Sequence, residues 1–254
     1  MQLKPLSWYK RLADSKWRRR EGVFLVEGTR VIEQIFSNAP GAVAEILTTE
    51  TSDLKIDTGS VSIRKVDLQQ IKKISTSQTP RDAVAVVRIP QDTPTSLPPE
   101  NPGARILLLE DIQDPGNVGT LIRTAAALGY KGIILSSKSA DPFSPKSLQS
   151  TAGAILYPWI RRSSHYLETV KALKNVGYSV VSADIRGEKT VDFSVLPKHI
   201  LALGSEGSGL TEELLALSDY IFQIPMEENA VESLNVAACG AISMFMGTRG
   251  QKFG

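Results

Sequence analysis

The chain has 254 residues, 42% of them apolar and 22% charged, which excludes disorder and fits one large domain or two modest ones. A single cysteine, Cys239, excludes an internal disulfide, and His165 and His199 give it no spacing for a structural zinc module, so no metal is expected. The net charge of +2 hides an asymmetry, because residues 1–30 carry eight Lys or Arg against Asp14, Glu21 and Glu27, a net of +5.

That opening segment also holds Trp8, Tyr9 and Trp17. Basic residues interleaved with aromatics suit nucleic acid, with cations meeting phosphates and rings stacking on bases. The alternative is an amphipathic helix whose aromatics dock onto the body. No apolar run follows the basic residues, so no signal peptide is expected. The longest apolar run, eleven residues from Val236 to Met246 when Gly240 and Ser243 are allowed within it, is too short for a bilayer. These features together predict a cytoplasmic protein without a membrane segment.

Next, GVFLVEG reads as a strand and TRVIEQIFS as a helix with Val31, Ile32, Ile35 and Phe36 on its apolar side. AVAEILTT and AVAVVRI read as strands, with a polar helix near Asp67–Lys73 between them. Residues 89–103 hold five of the fourteen prolines, which fix φ and remove donors. They read as a linker between a first domain, 1–88, and a second, 104–254, so a chain starting near Asn101 is expected to fold.

In the second domain RILLLED is a continuous apolar run of the kind buried on both faces of a sheet. PGNVGTLIRTAAALG reads as a helix with Pro in its first turn and Gly after its end. KGIILSS, YSVVSAD, HILALGS and DYIFQIP read as strands, and Tyr166–Asn175, Thr211–Leu217 and Ser233–Met246 as helices. Strands alternating with helices predict an α/β domain with a parallel sheet.

Ligands of such sheets sit beyond the carboxyl ends of the strands. Three strand ends here are rich in Gly and polar residues. The first places Asn117, Gly119 and Arg123 at a strand–helix junction, and Arg123 is the only charge from Val118 to Leu128. Its planar fork suits phosphate; the plainer reading leaves Arg123 in solvent and Asn117 as a helix cap. The second, LALGSEGSGL, has three glycines in six residues but matches neither the Walker A nor the dinucleotide fingerprint. Glu206 would repel phosphate there and fits a cationic or hydroxyl-bearing group. The third places Ser233 and Asn235 before the charge-free helix, where either would ordinarily be an N-cap. A helix apolar all round is buried on every side, in the core or against a partner.

Taken in order, DPGNVGTLIRTA at 114–125, GSEGSGL at 204–210 and IPM…ESLNVA at 224–237 resemble the SpoU (TrmH-type) RNA ribose 2′-O-methyltransferases of the SPOUT superfamily. The resemblance covers 105–247, and the first domain resembles a small L30-like RNA-binding α/β domain. It implies a parallel sheet with a C-terminal trefoil knot, a homodimer, and RNA as partner, either ribosomal or transfer RNA. It implies S-adenosyl-L-methionine as cofactor, held by Leu203, Gly204, Ser205, Glu206, Gly207, Ile224, Pro225, Met226, Ser233, Leu234 and Asn235. Asn117, Arg123, Glu206, Ser233 and Asn235 are the implied catalytic set. RNA contacts fall to Lys16, Arg18, Arg19, Arg20 and Arg30 in the basic segment, together with Arg123. Where family members carry Arg-x-Ser before Ala-Gly-Ala, this chain has Gln149 and Thr151. Two other readings compete: a non-catalytic RNA-binding or ribosome-assembly factor, against which the intact set argues, and a small-molecule methyltransferase, against which the basic segment argues.

Overall fold

The computed structural model describes residues 4–59, 61–77, 79, 81–188, 191–227 and 231–248. The outer ends of the two domains read from the sequence, 1–3 and 249–254, lie outside the described residues. The chain divides into two compact units, Met1–Gln91 with Asp141–Tyr157, and Asp92–Ala140 with Pro158–Gly254.

The first unit begins with two short helices, α1 (Leu6–Arg11) and α2 (Ser15–Glu21), the second capped by Asp14. It continues through β1 (Val23–Glu27), α3 (Thr29–Asn38), β2 (Val43–Thr48), β3 (Ser62–Lys65), α4 (Leu68–Ile74) and β4 (Ala83–Arg88). The sheet order is β1-β4-β2-β3, with β4 antiparallel to both its neighbours and β3 parallel to β2. The strand β3 was not expected; it is short, polar and on an edge, so it carries no apolar alternation.

Two of the three aromatics of the opening segment dock onto the body of their unit. Tyr9 is core, packed with Leu47, Ile71, Ile74 and Val86, and its hydroxyl donates to Glu45 at 2.8 Å. Burial, helped by the Glu45 carboxylate, pushes that phenol up to about 12. Trp8 packs against the same cluster and donates to Glu21. Trp17 instead lies between two guanidinium groups, Arg11 at 4.8 Å and Arg20 at 5.0 Å from the ring.

Residues 145–151 form a helix, absent from the sequence reading, that is grouped with this unit. Gln149 is exposed on it, and Thr151 is buried, its hydroxyl donating to the Leu148 carbonyl.

The second unit is an α/β fold with a wholly parallel sheet. Its elements are β5 (Arg105–Leu109), α5 (Pro115–Ala127), β6 (Gly132–Ser136), then, with the helix just described taken as α6 (Pro145–Thr151), β7 (Trp159–Ser163), α7 (Tyr166–Lys174), β8 (Ser179–Glu188), β9 (His199–Leu203), α8 (Glu212–Leu215), β10 (Tyr220–Phe222) and α9 (Val236–Met246). The order is β10-β8-β9-β5-β6-β7, and every pairing is parallel. Ile106, Leu108, Ile134, Val180 and Ile200 form the core on one side of the sheet, against Val170 and Leu173 of α7. The strand β7 escaped the sequence reading because Arg161 and Arg162 interrupt its apolar pattern.

Those arginines explain a second difference. Residues 92–103 do not run free as a linker. Arg161 is 4% exposed, pairs with Asp92 at 2.6 Å and donates to the Leu97 carbonyl at 2.7 Å. The Arg162 amide donates to Thr93, Thr169 to Ser96, and Trp159 to Pro102. The proline-rich segment is a strap whose carbonyls accept from the Trp159, Arg161 and Thr169 side chains and from the Arg162 amide. No helix among the described residues is long and apolar enough to cross a membrane.

Candidate functional site

The three Gly- and polar-rich loops lie in the second unit, where β5, β9 and β10 end. Asp114 caps α5 by accepting from the Asn117 amide at 3.0 Å, so Asn117 is not the cap and its side chain is free to reach elsewhere. It donates to Glu206 Oε1 at 3.3 Å and accepts from Asn235 at 3.3 Å.

Glu206 stands on a closed turn rather than a loose one. The Gly209 amide donates to the Ser205 carbonyl at 3.0 Å, and the Ser205 and Ser208 hydroxyls meet at 2.7 Å. A Cβ on Gly204 would lie 2.3 Å from the Gly209 carbonyl carbon, so only glycine lets the turn fold back this tightly. Glu206 Oε1 takes three donors: Asn117, Asn235 Nδ2 at 2.8 Å and the Val236 amide at 3.2 Å. A carboxylate there also meets the positive end of α9.

Asn235 works in two directions. Its Oδ1 accepts from the Ala237 and Ala238 amides and caps α9, while its Nδ2 reaches Glu206 and Asn117. The helix therefore starts at Val236, three residues later than its apolar pattern suggests. Gly240 brings α9 close to its neighbours, since a Cβ there would meet Leu121 of α5 at 2.3 Å and Leu203 of β9 at 2.7 Å. The helix is not buried on every side: Ile242 is 42% and Phe245 55% exposed.

Beside this cluster opens a cavity of about 500 Å³. Its lining includes Leu203, Gly204, Ser205, Glu206 and Gly207, together with Ile224, Met226, Ser233 and Leu234. Among the described residues four carboxylates line it, Asp184, Glu206, Glu212 and Glu232, against one guanidinium, Arg186. Arg186 is held by Asp184 through Nε at 2.8 Å and by Glu212 through Nη1 at 2.6 Å. That hydrogen-bonded guanidinium holds the Asp184 carboxyl below the usual carboxylate range, and the two carboxylates push Arg186 up. Burial pushes the Cys239 thiol, also on the lining, up. Sequence reading missed Asp184, Arg186 and Glu212; the acids ending YSVVSAD and opening α8 were the available signal.

The arrangement brings Asn117, Glu206 and Asn235 together and leaves two expected partners apart. Ser233 is exposed on the lining and has no hydrogen bond among the described residues. Arg123 is exposed on α5, with no ion pair or hydrogen bond among the described residues, about 9 Å along the helix from Asn117. Pro225 and Asn235 do not line the cavity, although Asn235 adjoins it through Glu206.

Of the expected RNA contacts, Lys16, Arg19, Arg20 and Arg30 are exposed, Arg20 lying 3.5 Å from Glu21. Arg18 departs from the expectation. It is 3% exposed, pairs with Asp141 at 2.5 Å and donates to the carbonyls of Leu12 and Ala13, so its guanidinium is committed to its own unit. No group of three or more His, Cys, Asp or Glu placed to hold a metal occurs among the described residues.

The SpoU rRNA Methylase family matches residues 104–245, and an MRM3-like substrate binding domain matches residues 7–85. The chain is 30% identical to the 23S rRNA (guanosine(2553)-2'-O)-methyltransferase RlmP of Bacillus subtilis (strain 168), over 93% of each chain. It is 29% identical to the 23S rRNA (uridine(2479)-2'-O)-methyltransferase of Streptomyces viridochromogenes, over 95% of this chain and 88% of that one. The crystal structure of the SpoU methyltransferase AviRb from the same organism, in complex with the cofactor AdoMet, superposes with a TM-score of 0.81 at 27% identity, over 96% of both chains.

Proposed function

The chain belongs to the SpoU rRNA methylase family, and from that premise we propose that it transfers a methyl group from S-adenosylmethionine to a ribose 2′-hydroxyl of ribosomal or transfer RNA. The relatives named for 23S rRNA make ribosomal RNA the first substrate to test.

The observation that carries this reading is the charge of the cavity. Four carboxylates and one guanidinium line it beside a glycine turn that no side chain obstructs. Such a lining disfavours a phosphate-bearing cofactor and suits one that carries a sulfonium and an ammonium group. Leu203–Gly207, Ile224–Met226 and Ser233–Asn235 are the residues that would hold S-adenosylmethionine. When bound, it supplies an activated methyl group.

The rest falls to the chain's own groups. Glu206 fixes Asn117 and Asn235 through Oε1, and its Oε2 has no partner among the described residues, open to a hydroxyl of the substrate. Arg123 positions a substrate phosphate and stabilises negative charge developing on the attacking oxygen. It is not the base, because a guanidinium does not give up its proton in a protein. Alignment of donor and acceptor supplies most of the remainder.

Several finer features belong to this reading. We take the first domain, 1–88, as an L30-like RNA-binding domain, 104–254 as the methyltransferase domain, and the cytoplasm as their setting. The chain beyond Phe222 is read as threaded into a trefoil knot, an exception to the usual rule against threading. The exposed Ile242 and Phe245 of α9 are read as the centre of a homodimer interface.

The test is incubation of ribosomal RNA with methyl-labelled S-adenosylmethionine and the protein, followed by alkaline hydrolysis. A ribose 2′-O-methyl group blocks cleavage of the adjacent phosphodiester, so label is expected in an alkali-resistant dinucleotide. Label released in mononucleotides would place the methyl on a base and refute the reading.

A further inference from the structure

We propose that Lys10, Lys72 and Lys73 form a second RNA contact, a seat for one stretch of substrate backbone phosphate on the first unit. This rests on the RNA-methyltransferase reading and adds a site to it. Helix α1 ends in Lys10 and Arg11, and α4 ends in Lys72 and Lys73. The two helices pack together because Tyr9 of α1 and Ile71 and Ile74 of α4 share one core cluster. That packing carries their last turns to the rim of one depression of about 380 Å³, lined by Leu6, Ser7, Lys10, Lys72, Lys73 and Ser75.

Three lysines line the depression, and among the described residues no carboxylate does. None of the three ammonium groups has an ion pair or hydrogen bond among the described residues. The acids close by in the fold are engaged elsewhere: Glu27 accepts from Ser75, from Thr76 Oγ1 and from the Thr76 amide, and Glu21 accepts from Trp8. Other lysines of the chain do have acidic partners, as Lys55 has Asp53, Lys65 has Glu50 and Lys174 has Asp219. A lysine in the last turn complements its own helix dipole. That accounts for a cation on each helix, but not for three cations around one opening, which outnumber the Glu27 carboxylate bonded to Ser75 at its rim. Like charges so placed repel one another, and an anion seated among them relieves the repulsion. The Ser7 hydroxyl at the same rim is a further donor.

A polyanion fits better than a free phosphate. The same unit exposes Lys16, Arg19, Arg20 and Arg30, so a chain of phosphates has cations beyond this seat. The sequence alone did not show it, because the lysines lie some sixty positions apart and only Lys10 belongs to the basic segment.

The experiment is filter binding of a ribosomal RNA fragment to the full chain across a salt series. It compares wild type with Lys10→Gln, Lys72→Gln and Lys73→Gln combined. Each lost phosphate contact removes about 0.7 from the slope of log K on log salt for single strands. The triple variant should therefore bind with a slope shallower by about 2, and about 100-fold more weakly at roughly 0.1 M salt. KM for RNA should rise with kcat unchanged, while S-adenosylmethionine binding and melting temperature stay at wild-type values. The three arginine replacements at the same positions should keep the wild-type slope. A triple Gln variant with wild-type slope and affinity would overturn the proposal. So would tight binding of inorganic phosphate at these lysines with RNA affinity unmoved, which would make the site one for a free anion. Failure of the underlying reading is distinguishable, since wild type itself would then neither bind nor methylate the RNA.

Discussion

In the proposed mechanism Arg123 serves the chemistry and Asn235 the architecture of the site. Arg123→Ala should cut methyl transfer to less than about a tenth, at least ~1.4 kcal/mol of barrier, while calorimetric binding of S-adenosylmethionine stays near wild type. Lysine should rescue poorly, because a point charge does not reproduce the planar fork. For Asn235, the informative change is Asn235→Asp. It keeps a capping oxygen for α9, worth ~1 kcal/mol, but sets a carboxylate against Glu206 Oε1, now 2.8 Å from Asn235 Nδ2. Activity should fall with the melting temperature nearly held; full activity would remove the Glu206–Asn235 contact from the account. Arg18 shows the limit of composition as a guide. Its place in a basic run pointed to RNA, yet its pairing with Asp141 is set by a residue 123 positions away. Arg18→Ala should cost roughly 3 kcal/mol of stability, the scale of breaking a buried pair, and show as a lower melting temperature. His199 supplies a pH test. It is buried against Tyr130, and burial pushes it down to about 4. The unfolded chain takes up this proton first, so stability is full above about pH 6.5 and falls as pH drops toward 4, by about 3 kcal/mol. His199→Gln should flatten that part of the urea-midpoint profile.

Among elements, the strands buried on both faces were legible because their apolar runs have few other uses: RILLL, GIILS and HILAL all lie in the parallel sheet. Amphipathic α3 and α7 were legible through their period. What escaped was polar or held by partners distant in sequence. The strand β7 contains two arginines, Arg161 held by Asp92 and the Leu97 carbonyl of the strap and Arg162 donating to the Ser137 and Ser139 carbonyls, and α6 is grouped with a unit more than fifty residues upstream. Of the site, all three loops were legible, and so were Asn117, Glu206 and Asn235; their mutual bonding was not, since it depends on how the turn after β9 closes. The strap changes one expectation. A chain beginning at Asn101 removes Asp92 and the Leu97 carbonyl from buried Arg161, and it leaves Phe143 without Phe24, its ring neighbour at 5.1 Å. It should melt well below the full chain or precipitate; a soluble fragment with an unchanged melting temperature would show the strap and Phe24 to be dispensable.

For the whole molecule, charge and exposed apolar surface make separate demands. Residues 104–254 carry 14 Lys or Arg against 15 Asp or Glu, a net of −1, whereas residues 1–30 carry +5. RNA affinity should thus depend chiefly on the first unit and fall steeply with salt. We propose that a second copy of the chain covers the exposed Ile242 and Phe245 of α9. Light scattering at micromolar concentration should give twice the monomer mass of 27.6 kDa, and Phe245→Asp should return it to the monomer. Transfer of a methyl group to one RNA ribose can be read in cells lacking the gene. Ribosomal and transfer RNA from them would be mapped by mass spectrometry beside RNA from cells complemented with wild type or with Arg123→Ala. The account predicts the loss of one ribose 2′-O-methylation, restored by wild type and not by the Arg123 variant. An unchanged map, or restoration by the variant, would contradict it.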